Sequence, residues 1–446
     1  MANSNDNNNE VVNETSWYKI YKDGRVERLY DTLGLEYVPP SLEDPATGVS
    51  SKDVTISRHV SARLYLPKKN ITSSQKLPIL VYYHGGALVL GSAFFNMYHN
   101  YLNVLVSESN AIAVSIEYRL APEHDVQTIY EDSWTALQWV ASHASEKFTS
   151  ANEDPWLKNY GDFSRLSICG DSAGGNIVYH TVMRAGKEGG INTNVTINGS
   201  ILVCPYLLVP LENIEQGLSY KNWTIISSPT EAGLHSPMIN PLAEKAPSLS
   251  QLGCSRMLLC FAEKDEHLPK EIGVQFAEGV KKSGWKGDLE FIVVEDEDHC
   301  FQLVNPEMEK SRDLIKRFAS FIQHKEHKCS NPDPRPELPR STDNGRSQPR
   351  FCELRTDYMD VHNNKNHASA FPRKPNLEIS QLRIEKHESV PPFSTSKGVG
   401  NARNGASFYS KLSGPPLTND PNKPTTFYSI LENARRGENH PRTEEK

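Results

Sequence analysis

Apolar residues recur along the first two thirds of the chain in short runs separated by polar, turn-forming segments. Residues 62–66, 79–83, 111–116, 166–169, 200–204, 257–261 and 289–294 are rich in Val, Ile and Leu and too short for buried helices, so they predict strands. Several of the segments between them carry helical spacing instead. Trp134, Leu137, Val140 and Ala141 fall on one face of a helix over 130–143, and Leu314, Ile315, Phe318, Phe321 and Ile322 repeat the pattern in a last helix. Both stripes predict core-facing surfaces. Strands alternating with helices predict the α/β class, with a mostly parallel central sheet flanked by helices. Residues 206–247 break the alternation with Pro210, Pro229, Pro237 and Pro241, a composition that predicts an irregular excursion from the sheet.

Beyond residue 325 the character changes. The stretch 326–446 holds 14 of the 29 prolines and lacks sustained apolar periodicity, which predicts a disordered extension. Residues 1–16, Asn-rich and polar, are likewise expected to be disordered, leaving 17–325 as the folded body. The chain has 446 residues and a net charge of -7, unevenly divided: 19 Lys and Arg against 15 Asp and Glu give 326–446 a net +4, so 1–325 carries -11. An acidic body argues against nucleic acid as a partner.

No apolar run is long enough to span a bilayer, and the N-terminus has neither a basic start nor an apolar signal core. Seven cysteines without a C-x-x-C pair fit free thiols in a reducing compartment, and the expected location is cytoplasmic. Cys169 and Cys300 read as small buried hydrophobes. No spacing of Cys and His predicts a metal site, and no glycine-rich phosphate loop predicts a nucleotide, so neither metal nor cofactor is expected.

The candidate chemistry centres on Gly170-Asp171-Ser172-Ala173-Gly174, a G-x-S-x-G pentapeptide between a predicted strand and a helix-compatible stretch. In that position a serine sits on a sharp elbow that exposes its Oγ above the sheet. Upstream, the run 79–83 ends in His84-Gly85-Gly86-Ala87, where side-chain-free positions let backbone N–H groups approach a developing oxyanion. Downstream come Asp265 after the run 257–261 and His299 after 289–294. Singly, each reads as a solvated surface group. Together, a serine, an acid and a histidine following strands in that order predict a nucleophile, orienting acid and general base.

With these residues in place, the chain from Trp17 to Phe321 resembles a plant carboxylesterase of the hormone-sensitive-lipase type within the α/β-hydrolase fold. That group includes 2-hydroxyisoflavanone dehydratases, tuliposide-converting enzymes and gibberellin receptors; the dehydratase-like carboxylesterases match best. Further support lies in Tyr21-Lys22-Asp23-Gly24-Arg25-Val26, Glu117-Tyr118-Arg119-Leu120-Ala121-Pro122-Glu123-His124, Asn240-Pro241 and Asp298-His299-Cys300-Phe301. The resemblance implies Ser172 as nucleophile, Asp265 and His299 as its partners, and His84, Gly85, Gly86 and Ala173 as the oxyanion hole. It also implies a cap built from the N-terminal segment and 206–247, and a small-molecule ester as substrate. Two alternatives stay open: elimination of water from a 2-hydroxyisoflavanone in the same site, and a receptor that only binds. Ala87, where many relatives have a third glycine, and Asp125-Val126-Gln127-Thr128 depart from the family pattern. An alanine at 87 is expected to be tolerated, its methyl group leaving the N–H available if φ is negative there.

Overall fold

A computed structural model describes residues 9–15, 17–68, 76–145, 153–192 and 195–323. Eleven strands and eight α-helices occur among them. Strands β1 (Val11–Glu14), β2 (Tyr18–Tyr21) and β3 (Val26–Arg28) form a small antiparallel sheet. The main sheet takes β4 (Ser50–Thr55), β5 (Ser61–Leu66), β6 (Leu77–Tyr83), β7 (Ile112–Glu117), β8 (Gly161–Asp171), β9 (Ile197–Val203), β10 (Cys254–Ala262) and β11 (Asp288–Val294). Its order is β11-β10-β9-β8-β6-β7-β5-β4, parallel except where β5 meets β7 and β4. Helices α1 (Asn96–Ser109), α2 (Val126–Ser142), α3 (Pro155–Tyr160), α4 (Ala173–Glu188), α5 (Leu218–Ile226), α6 (Lys270–Ser283), α7 (Phe301–Val304) and α8 (Glu309–Gln323) complete the body.

All seven predicted strand runs are strands. β6 and β9 are buried along their whole length, as parallel strands covered on both faces must be. β4 escaped the apolar pattern because it is an edge strand that alternates buried and exposed residues. Its Asp53 lies opposite Arg63 of β5, which donates to both carboxylate oxygens at 2.6 and 2.9 Å. One expected boundary is corrected: β1 lies inside 1–16, and its pairing with β2 satisfies backbone groups that would otherwise keep the segment loose. The extension 326–446 lies outside the described residues.

Helix α8 buries Leu314, Ile315, Phe318, Phe321 and Ile322, the stripe read from the sequence. Phe318 is fully buried, so Phe318→Ala is expected to destabilise the fold by about 3–5 kcal/mol in urea unfolding. At the start of α2, the unusual Asp125 is a working N-cap whose side chain accepts from the Thr128 N–H at 2.7 Å.

Residues 206–247 are irregular apart from α5 and a single 3-10 turn. Their anchor is the buried Asn222, which donates to the Ala87 carbonyl at 2.9 Å and accepts from the Tyr18 hydroxyl at 3.2 Å. The small sheet reaches the same loop through Arg28, which donates to the Val89 carbonyl at 2.6 Å and the Ala121 carbonyl at 3.0 Å. Both elements thus meet over the turn that follows β6.

Candidate active site

Four neighbouring parallel strands deliver the site. β8, β9, β10 and β11 end in Asp171, Val203, Ala262 and Val294, and just beyond those ends stand Ser172, Cys204, Asp265 and His299. The carboxyl edge of an open α/β sheet is where connecting loops leave a crevice.

Ser172 has φ 49° and ψ -114°, a backbone conformation that L-residues avoid. The neighbourhood fixes it. The Ser172 N–H donates to the Val203 carbonyl at 2.8 Å, and its own carbonyl accepts from Tyr206 at 2.7 Å and Asn176 at 3.2 Å. Gly174 is required because a Cβ there would collide with the Tyr83 carbonyl at the end of β6. The turn from β8 into α4 can therefore be this sharp, and it projects the serine from the strand end.

Asp265 and His299 meet 34 residues apart in sequence. Asp265 Oδ1 accepts the N–H groups of His267 and Leu268 at 3.0 and 2.8 Å, leaving Oδ2 at 2.5 Å from His299 Nδ1. Both side chains are buried. Burial pulls the imidazole's basicity down, but the Asp265 carboxylate outweighs it, and with a smaller contribution from Cys204 holds His299 above the ordinary histidine value. The structure thus brings together Asp265 and His299, and places Ser172 at the end of β8, with β9 between that strand and β10.

The oxyanion loop differs from expectation. Gly86 has φ 111°, and a Cβ on it would strike the Leu90 carbonyl, so only glycine fits. Ala87 also takes a positive φ, 54°, as does Leu88 at 66°. Two expected members are engaged elsewhere. The Gly85 N–H donates to the Tyr98 hydroxyl at 3.0 Å and to Asp171 Oδ1 at 3.1 Å. The His84 ring stacks on Tyr118 with centroids 4.2 Å apart, and its Nδ1 lies 2.8 Å from the Gly85 carbonyl. Burial pushes His84 down to about 4, so the ring is neutral. His84 and Gly85 shape the loop. The N–H groups of Gly86, Ala87 and Ala173 have no backbone or side-chain acceptor among the described residues.

Sequence reasoning missed Asp171 and Cys204. Asp171 is a fully buried carboxylate that accepts from Tyr82 at 2.6 Å as well as from Gly85 and Tyr98 (3.3 Å to its Oδ2). Burial raises it to about 6, less than it would without these donors. Its place inside the pentapeptide was visible; its partners on β6 and α1 were not. Asp171→Ala would leave the Tyr82 and Tyr98 hydroxyls without this acceptor and the Gly85 N–H with the Tyr98 hydroxyl alone, and an unmade buried bond costs about 1–3 kcal/mol each. Lower thermal stability together with a reduced kcat is the expected outcome. Cys204, at φ 41°, lies one residue past the end of β9 and not within the strand that the run 200–204 predicts. Its thiol lies against Cys300 and His299, whose hydrogen bonds lower its pKa although burial opposes them.

A family described as having the alpha/beta hydrolase fold matches residues 80–303. A 2-hydroxyisoflavanone dehydratase from Glycyrrhiza echinata is 47% identical over 312 residues, which cover 68% of this chain and 93% of that protein. The Arabidopsis thaliana protein named "Probable carboxylesterase 4, mitochondrial" is 40% identical over 328 residues, 70% of this chain and 84% of its own. Among solved structures, a thermostable esterase from Pseudomonas putida ECU1011 gives a TM-score of 0.51 over 66% of this chain and 86% of that one. At 20% identity it speaks for the fold alone. Sheet order, the serine elbow and these similarities agree: the chain belongs to the α/β-hydrolase fold family, in its plant carboxylesterase branch.

Proposed function

We propose that the protein is a serine carboxylesterase acting on small carboxylic esters through an acyl-enzyme. The observation that carries this reading is the buried Asp265–His299 pair, 2.5 Å apart, together with a serine held in a strained elbow conformation at the carboxyl edge of the same sheet. His299 takes the Ser172 proton as Oγ attacks the ester carbonyl, and Asp265 orients the ring and stabilises the imidazolium. The N–H groups of Gly86, Ala87 and Ala173 receive the charge that develops on the carbonyl oxygen. The protonated His299 then gives its proton to the departing alcohol. A water, activated by the same histidine, releases the acid. Residues 206–247 and the N-terminal sheet, tied to the loop through Asn222 and Arg28, serve as the cap that selects the substrate.

The 47% identity to a 2-hydroxyisoflavanone dehydratase supports a second reading, β-elimination with His299 as base and the loop polarising a ketone. Serine at 172 favours the ester. A binding-only receptor has no use for a paired base, and His299 is present and paired. The buried thiols of Cys169, Cys204, Cys254, Cys260 and Cys300 support a reducing, cytosolic setting.

The discriminating experiment treats the protein with a serine-directed organophosphate, then assays p-nitrophenyl esters and a 2-hydroxyisoflavanone. An adduct on Ser172 with loss of ester turnover is expected. Fast elimination that survives the adduct, with negligible ester hydrolysis before treatment, would replace the esterase by the dehydratase.

A further inference from the structure

Cys204, His299 and Cys300 place two thiol sulfurs and an imidazole nitrogen within 4.8 Å of one another, and all three side chains are buried. The arrangement is unlike that of the other buried cysteines. Cys169, Cys254 and Cys260 lie within β8, β10 and β10 and behave as small strand residues. Cys204 and Cys300 both sit at left-handed positions, φ 41° and 50°, where a side chain is carried at a cost that strand filler does not require. The Cys204 N–H is held by the Cys260 carbonyl at 2.7 Å, and Cys300 is the residue from which α7 starts. Two separate chain segments, one carrying Cys204 and the other His299-Cys300, are thus held so that their donor atoms converge.

We propose that Cys204 Sγ, Cys300 Sγ and His299 Nε2 form a binding site for a soft or borderline divalent cation of the zinc and cadmium class, and that its occupation switches the enzyme off. The donor set is two sulfurs and one nitrogen with no carboxylate ligand, which selects such ions over magnesium or calcium. Tetrahedral zinc with bonds of about 2.0–2.3 Å needs its ligand atoms to close by no more than roughly 1 Å from their present spacing. Three protein ligands leave a fourth position for water. Asp265 occupies Nδ1 and orients the ring as the outer-shell carboxylate of metal-bound histidines does, which leaves Nε2 as the ring nitrogen for the ion. Both thiols lose their protons on binding, so two protons leave per cation.

The inhibitory part rests on His299 being the general base, because an ion on Nε2 holds the lone pair that would take the Ser172 proton. The binding part does not. Both are measured in the full-length chain carrying Cys329→Ser and Cys352→Ser, so that the thiols beyond the described residues do not contribute. Cadmium alone is the spectroscopic probe and zinc alone the kinetic one. Titration with cadmium is expected to raise the thiolate-to-metal charge-transfer band in the near ultraviolet, saturating at one ion per chain. Zinc is expected to suppress p-nitrophenyl acetate hydrolysis reversibly, with full recovery on adding a chelator.

Cys204→Ala and Cys300→Ala are each also made as the serine variant to keep the volume, and zinc inhibition is read relative to each variant's own chelator-treated activity. Each should need at least about 10- to 100-fold more zinc for the same inhibition, the loss that removing even an outer-shell partner causes. Absence of the cadmium band in the parent chain, a measurement that needs no folded variant, would overturn the site. Equal zinc sensitivity in all four variants would overturn it too. A saturating band with undiminished hydrolysis would establish the site and instead remove His299 from the catalytic reading.

Discussion

Ser172→Ala and His299→Ala are each expected to lower kcat/KM for p-nitrophenyl acetate by about four to six orders of magnitude, and the double variant is expected to lose little more. The near-equality follows from how the two residues act. Without the imidazole, the Ser172 hydroxyl keeps its proton and is a poor nucleophile; without the hydroxyl, the imidazole has nothing to deprotonate in the acylation step. Removing either disables the same step, so the effects do not add. The residual rate belongs to the N–H donors of Gly86, Ala87 and Ala173 and to substrate positioning. Because Ser172 is 5% exposed at a strained turn, alanine in the same place removes Oγ and little else, and thermal stability should stay near that of the parent. Full ester turnover in Ser172→Ala would end the acyl-enzyme mechanism. Multiplicative losses in the double variant would show that the two residues act in separate steps.

Much of this was legible in the sequence because the catalytic groups of this fold lie where strands stop, and strands announce themselves by apolar runs. Ser172, Asp265 and His299 each follow such a run, so their order alone suggested the site. The same reasoning failed where tertiary contacts decide. Gly85 reads as an oxyanion donor until Asp171 and Tyr98, 86 and 13 residues away, take its N–H. The sign of φ at Ala87 is set by the turn that joins Gly86 to Leu90, whose N–H donates back to the Gly86 carbonyl at 2.8 Å, and alanine gives no local hint of it. β1 was hidden by its asparagine-rich setting, and β4 by the polar alternation of an edge. Cys204 looked like the end of a strand because cysteine is apolar; only the alignment of β8, β9, β10 and β11 shows that its position is equivalent to those of Ser172, Asp265 and His299.

Asp265→Asn should lower the maximal kcat/KM by about three to four orders of magnitude and move the acid limb of its pH profile to lower pH. The sign follows from the forces on His299. Burial lowers its pKa, and the Asp265 charge and hydrogen bond more than reverse this, so the parent imidazole titrates above the ordinary value of 6.5. Catalysis needs the neutral ring. Activity of the parent should therefore rise with pH and level off only on the alkaline side of an unperturbed histidine. Asparagine removes the charge while leaving the ring buried, so the lowering effect stands alone and the neutral form persists to more acidic pH. The rate falls all the same, because an amide can also present its NH2 to Nδ1 and favour the tautomer that holds a proton on Nε2, the atom that must accept one from Ser172. The measurement is kcat/KM against pH for parent and variant, with a chelator present. Cys204→Ser provides the comparison, since the thiol is the other group that raises His299 and its loss should shift the limb less. An acid limb unchanged in Asp265→Asn would show that the group controlling activity is not His299.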